Sequence, residues 1–285
     1  MLINTAVIPA AGSGTRLLTV TKETPKEMVP LFSNIDGVMV TRPLIERIFL
    51  QLFDAGIRNF YIIVGKNKRA IEDHFTPDLH YQNSLVGKNN KIFRHMIKDF
   101  YKKVEQSNII WINQNTPKGF GAAVLHAKGV VGDKPFLVHA GDAFIRGNSD
   151  HVSRLIQAYE KYKPSVTLYL REILNPKAYG VAEAKRIDKN TFKVFRVEEK
   201  PKQPRSNFAL MPLYVFEPQI FDALSSIKPG LRNELQLTDG IQKIIDLNYE
   251  VRAIKFQRAD DCIDVGTPEN YFRSLKVSFF DSKKK

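Results

Sequence analysis

The sequence predicts an α/β fold: a Rossmann-like, mostly parallel mixed sheet with helices on both faces and an inserted antiparallel section. Three observations predict it. In the first half of the 285-residue chain, short apolar runs alternate with segments of helical periodicity, which argues for parallel strands covered on both faces. After about Asp142 that alternation gives way to strand-like runs separated by polar turns. No Gly/Ser-rich linker and no internal repeat interrupts the chain, so 1–285 reads as one domain with two parts, 1–145 and 146–285.

The elements follow in order. Thr5-Ala6-Val7-Ile8-Pro9 is an apolar run stopped by small residues and Gly12, which predicts a buried first strand. Across 42–55, Leu44, Ile45, Ile48, Phe49, Leu52 and Phe53 recur at three and four, giving a helix one face of which is apolar; Gly56 suits the position past its end. Segment 59–64 is rich in β-formers and predicts a second buried strand. Segment 91–104 is helical, with Phe93, Ile97, Phe100 and Val104 on one face; 108–112 and 135–138 are further short strands. A helix over 150–162 has Asp150 as its cap, and a strand covers 165–170. Runs 181–187 and 191–198 flank Asp188-Lys189-Asn190 as a hairpin. Segments 208–216 and 249–256 are strands, 238–247 and 268–277 are helices with Thr238 as a cap, and 282–285 is a solvated tail.

Composition narrows the function classes. With 43 Lys+Arg against 30 Asp+Glu, the net charge of +13 fits either a nucleic acid or small anionic substrates. A single cysteine, Cys262, excludes an intrachain disulfide and fits a reducing, cytoplasmic setting. No apolar run approaches the ~18 residues of a membrane span, and Met1-Leu2-Ile3-Asn4 lacks the basic start of a signal peptide. The six histidines show no zinc-type spacing, and no Gly-x-Ser-x-Gly elbow occurs. The basic runs 66–69 and 102–103 read as exposed helix faces, and no nucleic-acid motif accompanies them.

Directly after the first strand comes Ala10-Ala11-Gly12-Ser13-Gly14-Thr15-Arg16. Small residues let backbone N–H groups approach an anion, and the Arg16 guanidinium suits bidentate phosphate contacts. A P-loop would need Lys-Ser/Thr after its last glycine, and the dinucleotide fingerprint a third glycine where Leu17 stands; both fail. Taken alone, the loop fits an anion cradle and an ordinary βα turn equally. Segment 21–30 carries Pro25 and Pro30, which exclude a regular helix and leave a loop that can project Lys26 back toward the glycines.

Together, Gly12-Ser13-Gly14-Thr15-Arg16, Pro25-Lys26 and Pro43-Leu44-Ile45 resemble the sugar-1-phosphate nucleotidyltransferases. The Lys26-Glu27-Met28 form is most similar to the bacterial-type UTP–glucose-1-phosphate uridylyltransferase branch. Further landmarks lie in the same order: Gln114 and Gly119-Phe120-Gly121, Gly141-Asp142, Tyr179-Gly180, Glu198-Glu199-Lys200-Pro201, 207–214, 233–239, and Asp264 before Thr267-Pro268. The resemblance implies a nucleotide-diphospho-sugar transferase fold, with 1–145 binding nucleotide and 146–285 forming the sugar-phosphate part and C-terminal helices. It implies catalytic Arg16 and Lys26, and a nucleotide site of Ala10, Ala11, Gly12, Gly14, Thr15, Glu27, Gln114 and Gly119. It also implies sugar-phosphate contacts by Gly180, Glu199, Lys200 and Leu210, and Mg²⁺ on Asp142 and Asp264. The implied partners are a nucleoside triphosphate and a sugar 1-phosphate, with no nucleic acid and no membrane, in a homo-oligomer (dimer or tetramer).

Each landmark taken alone has a plainer reading: a turn, a helix cap or a solvated strand end. The sequence also departs from the uridylyl pattern. Residues 34–41 lengthen the connection before Pro43, Arg42 replaces a lysine, Ala122 stands where a histidine is expected, and Gly141-Asp142 matches the thymidylyl branch. Thymidylyl or another nucleotidyl transfer therefore stays open as an alternative, with a basic nucleic-acid-binding protein as the remote one. An inactive homologue is disfavoured because Arg16, Lys26, Asp142, Lys200 and Asp264 are all present.

Overall fold

A computed structural model describes residues 3–85, 91–147, 150–230 and 233–283. From β1 (Thr5–Pro9) the chain passes through 3₁₀ turns at Thr15–Leu17, Val20–Lys22 and Lys26–Met28 to β2 (Pro30–Ile35) and β3 (Val38–Pro43). Then come α1 (Leu44–Asp54), β4 (Asn59–Val64), α2 (Arg69–His74), α3 (Leu79–Ser84), α4 (Lys91–Glu105), β5 (Asn108–Asn113), α5 (Phe120–Leu125), α6 (Lys128–Val131) and β6 (Phe136–His139). The second half runs β7 (Ala143–Arg146), α7 (His151–Tyr162), β8 (Val166–Glu172), β9 (Gly180–Arg186), β10 (Thr191–Glu199), β11 (Phe208–Phe216), α8 (Gln219–Ser226), α9 (Leu237–Asp246), β12 (Val251–Lys255), β13 (Asp261–Asp264) and α10 (Pro268–Ser282).

Among the described residues, nine strands form one sheet in the order β5-β4-β1-β6-β11-β8-β12-β10-β9. β5, β4, β1 and β6 are parallel neighbours, as the alternation of the first half predicts. β11 joins β6 and β8 antiparallel, and β9–β10 is the expected hairpin, whose turn is closed by Asp188 Oδ1 accepting from Asn190 and Thr191 N–H. Side chains alternate across the sheet. Ala6 and Ile8 face a core under α1, α4 and α7, whereas Val7 faces one under α5, α8 and α9. Phe49 of α1 anchors the first core against Phe53, Phe60, Phe75 and Phe100; truncating it to alanine would cost about 3–5 kcal/mol.

Several local expectations are corrected. Residues 34–41 are the tip of the β2–β3 hairpin, with Asp36 and Gly37 at φ 51° and 84° as a two-residue turn. The hairpin packs on α10, where Phe32 N–H donates to Ser278 Oγ at 3.2 Å. Thr238 lies inside α9 rather than capping it, because its hydroxyl is drawn to Glu199. Asp150 makes no side-chain cap and pairs with Arg154 instead. Phe93 is exposed, so only the second half of α4, through Phe100 and Val104, reaches the core. Lys68 of the supposed exposed basic run is buried. Ser282 is buried at the end of α10, and Lys284 and Lys285 of the expected tail lie outside the described residues.

Candidate active site

The parallel order reverses between β1 and β6, since β4 and β5 lie on one side of β1 and β6 on the other. At such a switch point the loops leaving the carboxyl ends of the strands diverge and open a crevice. Here the loops after β1 and β6, and the one after β5, are tied to the sheet. Ala10 N–H donates to Ile63 O at 2.8 Å, Gly141 N–H to Pro9 O at 3.1 Å, and Gln114 N–H to Val64 O at 2.8 Å. The glycine loop turns at Gly14 into the 3₁₀ turn that carries Arg16. The Pro25 loop does fold back onto it: a Cβ on Gly12 would stand 3.0 Å from Lys26 Nζ.

The crevice is a cleft of about 630 Å³. Its wall brings together Ala11, Gly12, Gly14, Thr15, Arg16, Lys26, Glu27, Gln114, Gly119, Asp142 and Lys200 from the sequence-derived set. Ala10 lies buried behind the loop. The site residues implied by the resemblance leave out Pro117, Phe120, Glu234, Gln236 and Gly266, which also line the cleft. Glu234 and Gln236 lie in the 233–239 segment that looked family-like, but nothing local says which of its side chains turn inward. Gly119 is fixed by that contact, because at φ 105° a Cβ on it would meet Leu235 O at 2.6 Å.

Lys26 Nζ donates to Asp142 Oδ2 at 2.5 Å. Burial works against the ammonium, but Asp142, Glu27 and Asp264 outweigh it and hold the group above its ordinary value. Burial also opposes the Asp142 carboxylate, yet Lys26, helped by Arg16, holds it below the usual range. Asp264 stands one ladder step away, opposite Ala143 in the β7–β13 pair, with Val265 N–H donating to Asp142 O at 3.3 Å. Burial and the charge of Asp142 push Asp264 up, beyond what Gly266 N–H, Arg16 and Asn270 return. Two mutually repelling hard-oxygen donors beside a cleft large enough for a nucleotide suit a divalent cation completed by phosphate oxygens and water. No group of three or more His, Cys, Asp or Glu positioned to hold a metal occurs among the described residues.

Gln114 is buried, and its Nε2 has no hydrogen-bond partner among the described residues. A buried, unpaired amide on a cleft wall is costly in the free protein and available to a ligand. On the other side, Gly180 lies against Thr238 and Glu199, and Thr238 Oγ1 donates to Glu199 Oε2 at 2.7 Å. Lys200 follows in a left-handed conformation, φ 44°, with Nζ 2.8 Å from Glu199 Oε1. That backbone is uncommon for lysine and marks a constrained position. Leu210 is buried in β11, where the register against β8 shifts before Tyr214.

The nucleotidyl transferase family model matches residues 5–277. A UTP–glucose-1-phosphate uridylyltransferase of Staphylococcus saprophyticus subsp. saprophyticus is 35% identical over 268 residues, covering 93% of this chain and 88% of the relative. A solved apo UDP-glucose pyrophosphorylase superposes with a TM-score of 0.87 at 28% identity, covering 98% of this chain and 99% of that one. A UDP-glucose pyrophosphorylase complexed with UDP-glucose gives 0.83 at the same identity and coverage. With sequence and architecture matching end to end around this cleft, the chain belongs to the nucleotidyl transferase family.

Proposed function

We propose that the protein transfers a uridylyl group from UTP to glucose 1-phosphate, giving UDP-glucose and pyrophosphate. The observation that carries the reading is the convergence of Arg16, Lys26 and Lys200 on one cleft that also holds Asp142 and the unpaired amide of Gln114. A phosphate oxygen of glucose 1-phosphate attacks the α-phosphorus of UTP in line. The new P–O bond forms as the bond to the bridging oxygen of pyrophosphate breaks, and that oxygen keeps the electron pair. The obstacle is repulsion between two anions, so catalysis is positioning and charge neutralisation. Arg16 holds the leaving phosphates, Lys26 exchanges Asp142 for the reacting phosphates, and Lys200 holds the sugar phosphate. Gln114 offers a donor and an acceptor to the uracil edge, with Ala10, Ala11, Gly12, Gly14, Thr15, Glu27 and Gly119 around the nucleotide. Gly180, Glu199 and Leu210 bound the sugar. In this reading 1–145 serves the nucleotide and 146–285 the sugar phosphate. Asp142 and Asp264 are the residues that would hold Mg²⁺, which when bound supplies positive charge at the α-phosphate.

The test is pyrophosphate release across four nucleoside triphosphates and several sugar 1-phosphates, with and without Mg²⁺. UTP with glucose 1-phosphate is expected to be the preferred pair, with turnover abolished by chelation. Preference for dTTP would move the protein to the thymidylyl branch, which the Gly141-Asp142 form resembles.

A further inference from the structure

We propose that Lys68, which lies outside the cleft wall, is a positioning residue: by neutralising the buried Glu27 carboxylate it leaves Lys26 free to serve Asp142 and the reacting phosphates. The inference rests on Lys26 acting as proposed above. Lys26 and Glu27 are neighbours on one 3₁₀ turn. Glu27 is fully buried, and its Oε1 has no hydrogen-bond partner among the described residues. Its Oε2 accepts from Lys68 Nζ at 2.6 Å, a lysine whose side chain is only 7% exposed. The chain delivers this ammonium inward on purpose of geometry: Asn67 turns at φ 64°, so Lys66 and Arg69 stay in solvent while Lys68 points under the turn.

Lys26 is attracted by three carboxylates: Asp142 and Asp264 on the cleft side, and Glu27 beneath its own turn. In the structure it sits on Asp142 at 2.5 Å, and Glu27 is satisfied by Lys68. A buried carboxylate that loses its hydrogen-bonded cation is strongly destabilising; burial already pushes the Glu27 carboxyl up, and the charge that keeps it ionised must then come from the nearest alternative cation. For Glu27 without Lys68, that alternative is the ammonium one residue away. Lys68 therefore prevents a competing ion pair inside the active site, and does so from outside the cleft wall.

The test is a charge cycle of wild type, K68M, E27Q and E27Q/K68M, with kcat and both KM values measured. K68M is expected to lower kcat about 10–100-fold, with KM for UTP changed by less than about threefold. E27Q/K68M is expected to regain about tenfold in kcat over K68M, because no competing charge is left; any loss of a Glu27 contact to nucleotide falls on KM. A double variant no more active than K68M would overturn the proposal, since Lys68 would then act through loop architecture or on substrate. K68R is expected to retain more kcat than K68M, and an equal loss would also overturn it. If K68M does not fold, E27Q/K68M, which buries no unpaired charge, is expected to fold and to match the kcat of E27Q within about threefold; a larger further loss on adding K68M to E27Q would overturn it. A crystal structure of K68M, or of K68R if that alone is obtained, reads the same claim without activity. In K68M, Lys26 Nζ is expected on Glu27, and Nζ still on Asp142 would refute it; in K68R, Nζ is expected to stay on Asp142. If wild type instead turns over another nucleotide, the functional reading fails but the cycle runs unchanged on that substrate.

Discussion

Replacing Lys26 by methionine removes one ammonium and keeps the volume of the side chain. In the structure that ammonium is 2.5 Å from Asp142 Oδ2, with its side chain 13% exposed, so it acts where water screens poorly. Against a phosphate oxygen at about 4 Å and an effective dielectric near 20, one unit charge is worth roughly 4 kcal/mol. Lys26 must give up Asp142 to make that contact, so the net effect is smaller. One preorganised electrostatic group typically contributes about 2.7–4 kcal/mol, or 10²–10³ in kcat, and that is the loss expected for K26M. Stability should barely change. Asp142 keeps Arg16 nearby, and its side chain, 30% exposed, can rehydrate, so Tm is expected within about 3 °C of wild type. The assay is continuous pyrophosphate release at saturating UTP and glucose 1-phosphate, beside a calorimetric scan. A kcat within about threefold of wild type would refute the role of Lys26, and a Tm loss above about 10 °C would refute the claim that the loss is electrostatic.

Three further outcomes follow from named contacts. Gln114→Leu should raise KM for the nucleotide by about 10–100-fold without lowering Tm, because the deleted Nε2 has no partner among the described residues; an unchanged KM would count against base reading by Gln114. Gly119→Ala should cost at least about 2 kcal/mol in denaturant unfolding, since its Cβ would meet Leu235 O at 2.6 Å, whereas Gly37→Ala, in open space at φ 84°, should cost only about 1–2; equal losses would contradict the packing argument. His139 is buried at the end of β6, and burial lowers it to about 4, so the unfolded chain binds a proton near 6.5 that the folded chain refuses. Stability is therefore expected to fall by up to about 3 kcal/mol as pH drops from 6.5 to 4, and His139→Leu should flatten that slope in calorimetric scans; an unchanged slope would show that other groups govern it.

Much of the fold is legible along the chain because its signals are local. The apolar runs of β1 and β4, the three-and-four spacing of α1 and the polar turn at Asp188-Lys189-Asn190 each report their own burial. The β2–β3 hairpin has a signal too, in Asp36-Gly37 between alternating residues, although by resemblance alone 34–41 is only a lengthened connection. Helix caps were less legible. Thr238 looks like a cap by type, but a long-range partner, Glu199 in β10, takes its hydroxyl instead.

The sequence by itself determined the alternating architecture of the first half, the glycine loop with Arg16, the proline-bounded loop with Lys26, and the order of acidic and basic landmarks that resembles one family. Those are properties of neighbouring residues, and neighbours set backbone conformation. Only the tertiary structure decided which charges meet. Lys26 and Asp142 are separated by 116 positions and lie 2.5 Å apart; Lys68 and Glu27 are separated by 41 and lie 2.6 Å apart. Nothing near Lys68 in the chain distinguishes it from Lys66 or Arg69. What separates them is a turn at Asn67 and a carboxylate waiting beneath it. Electrostatic partners depend on distance through space and on the water removed between them, and the fold sets both.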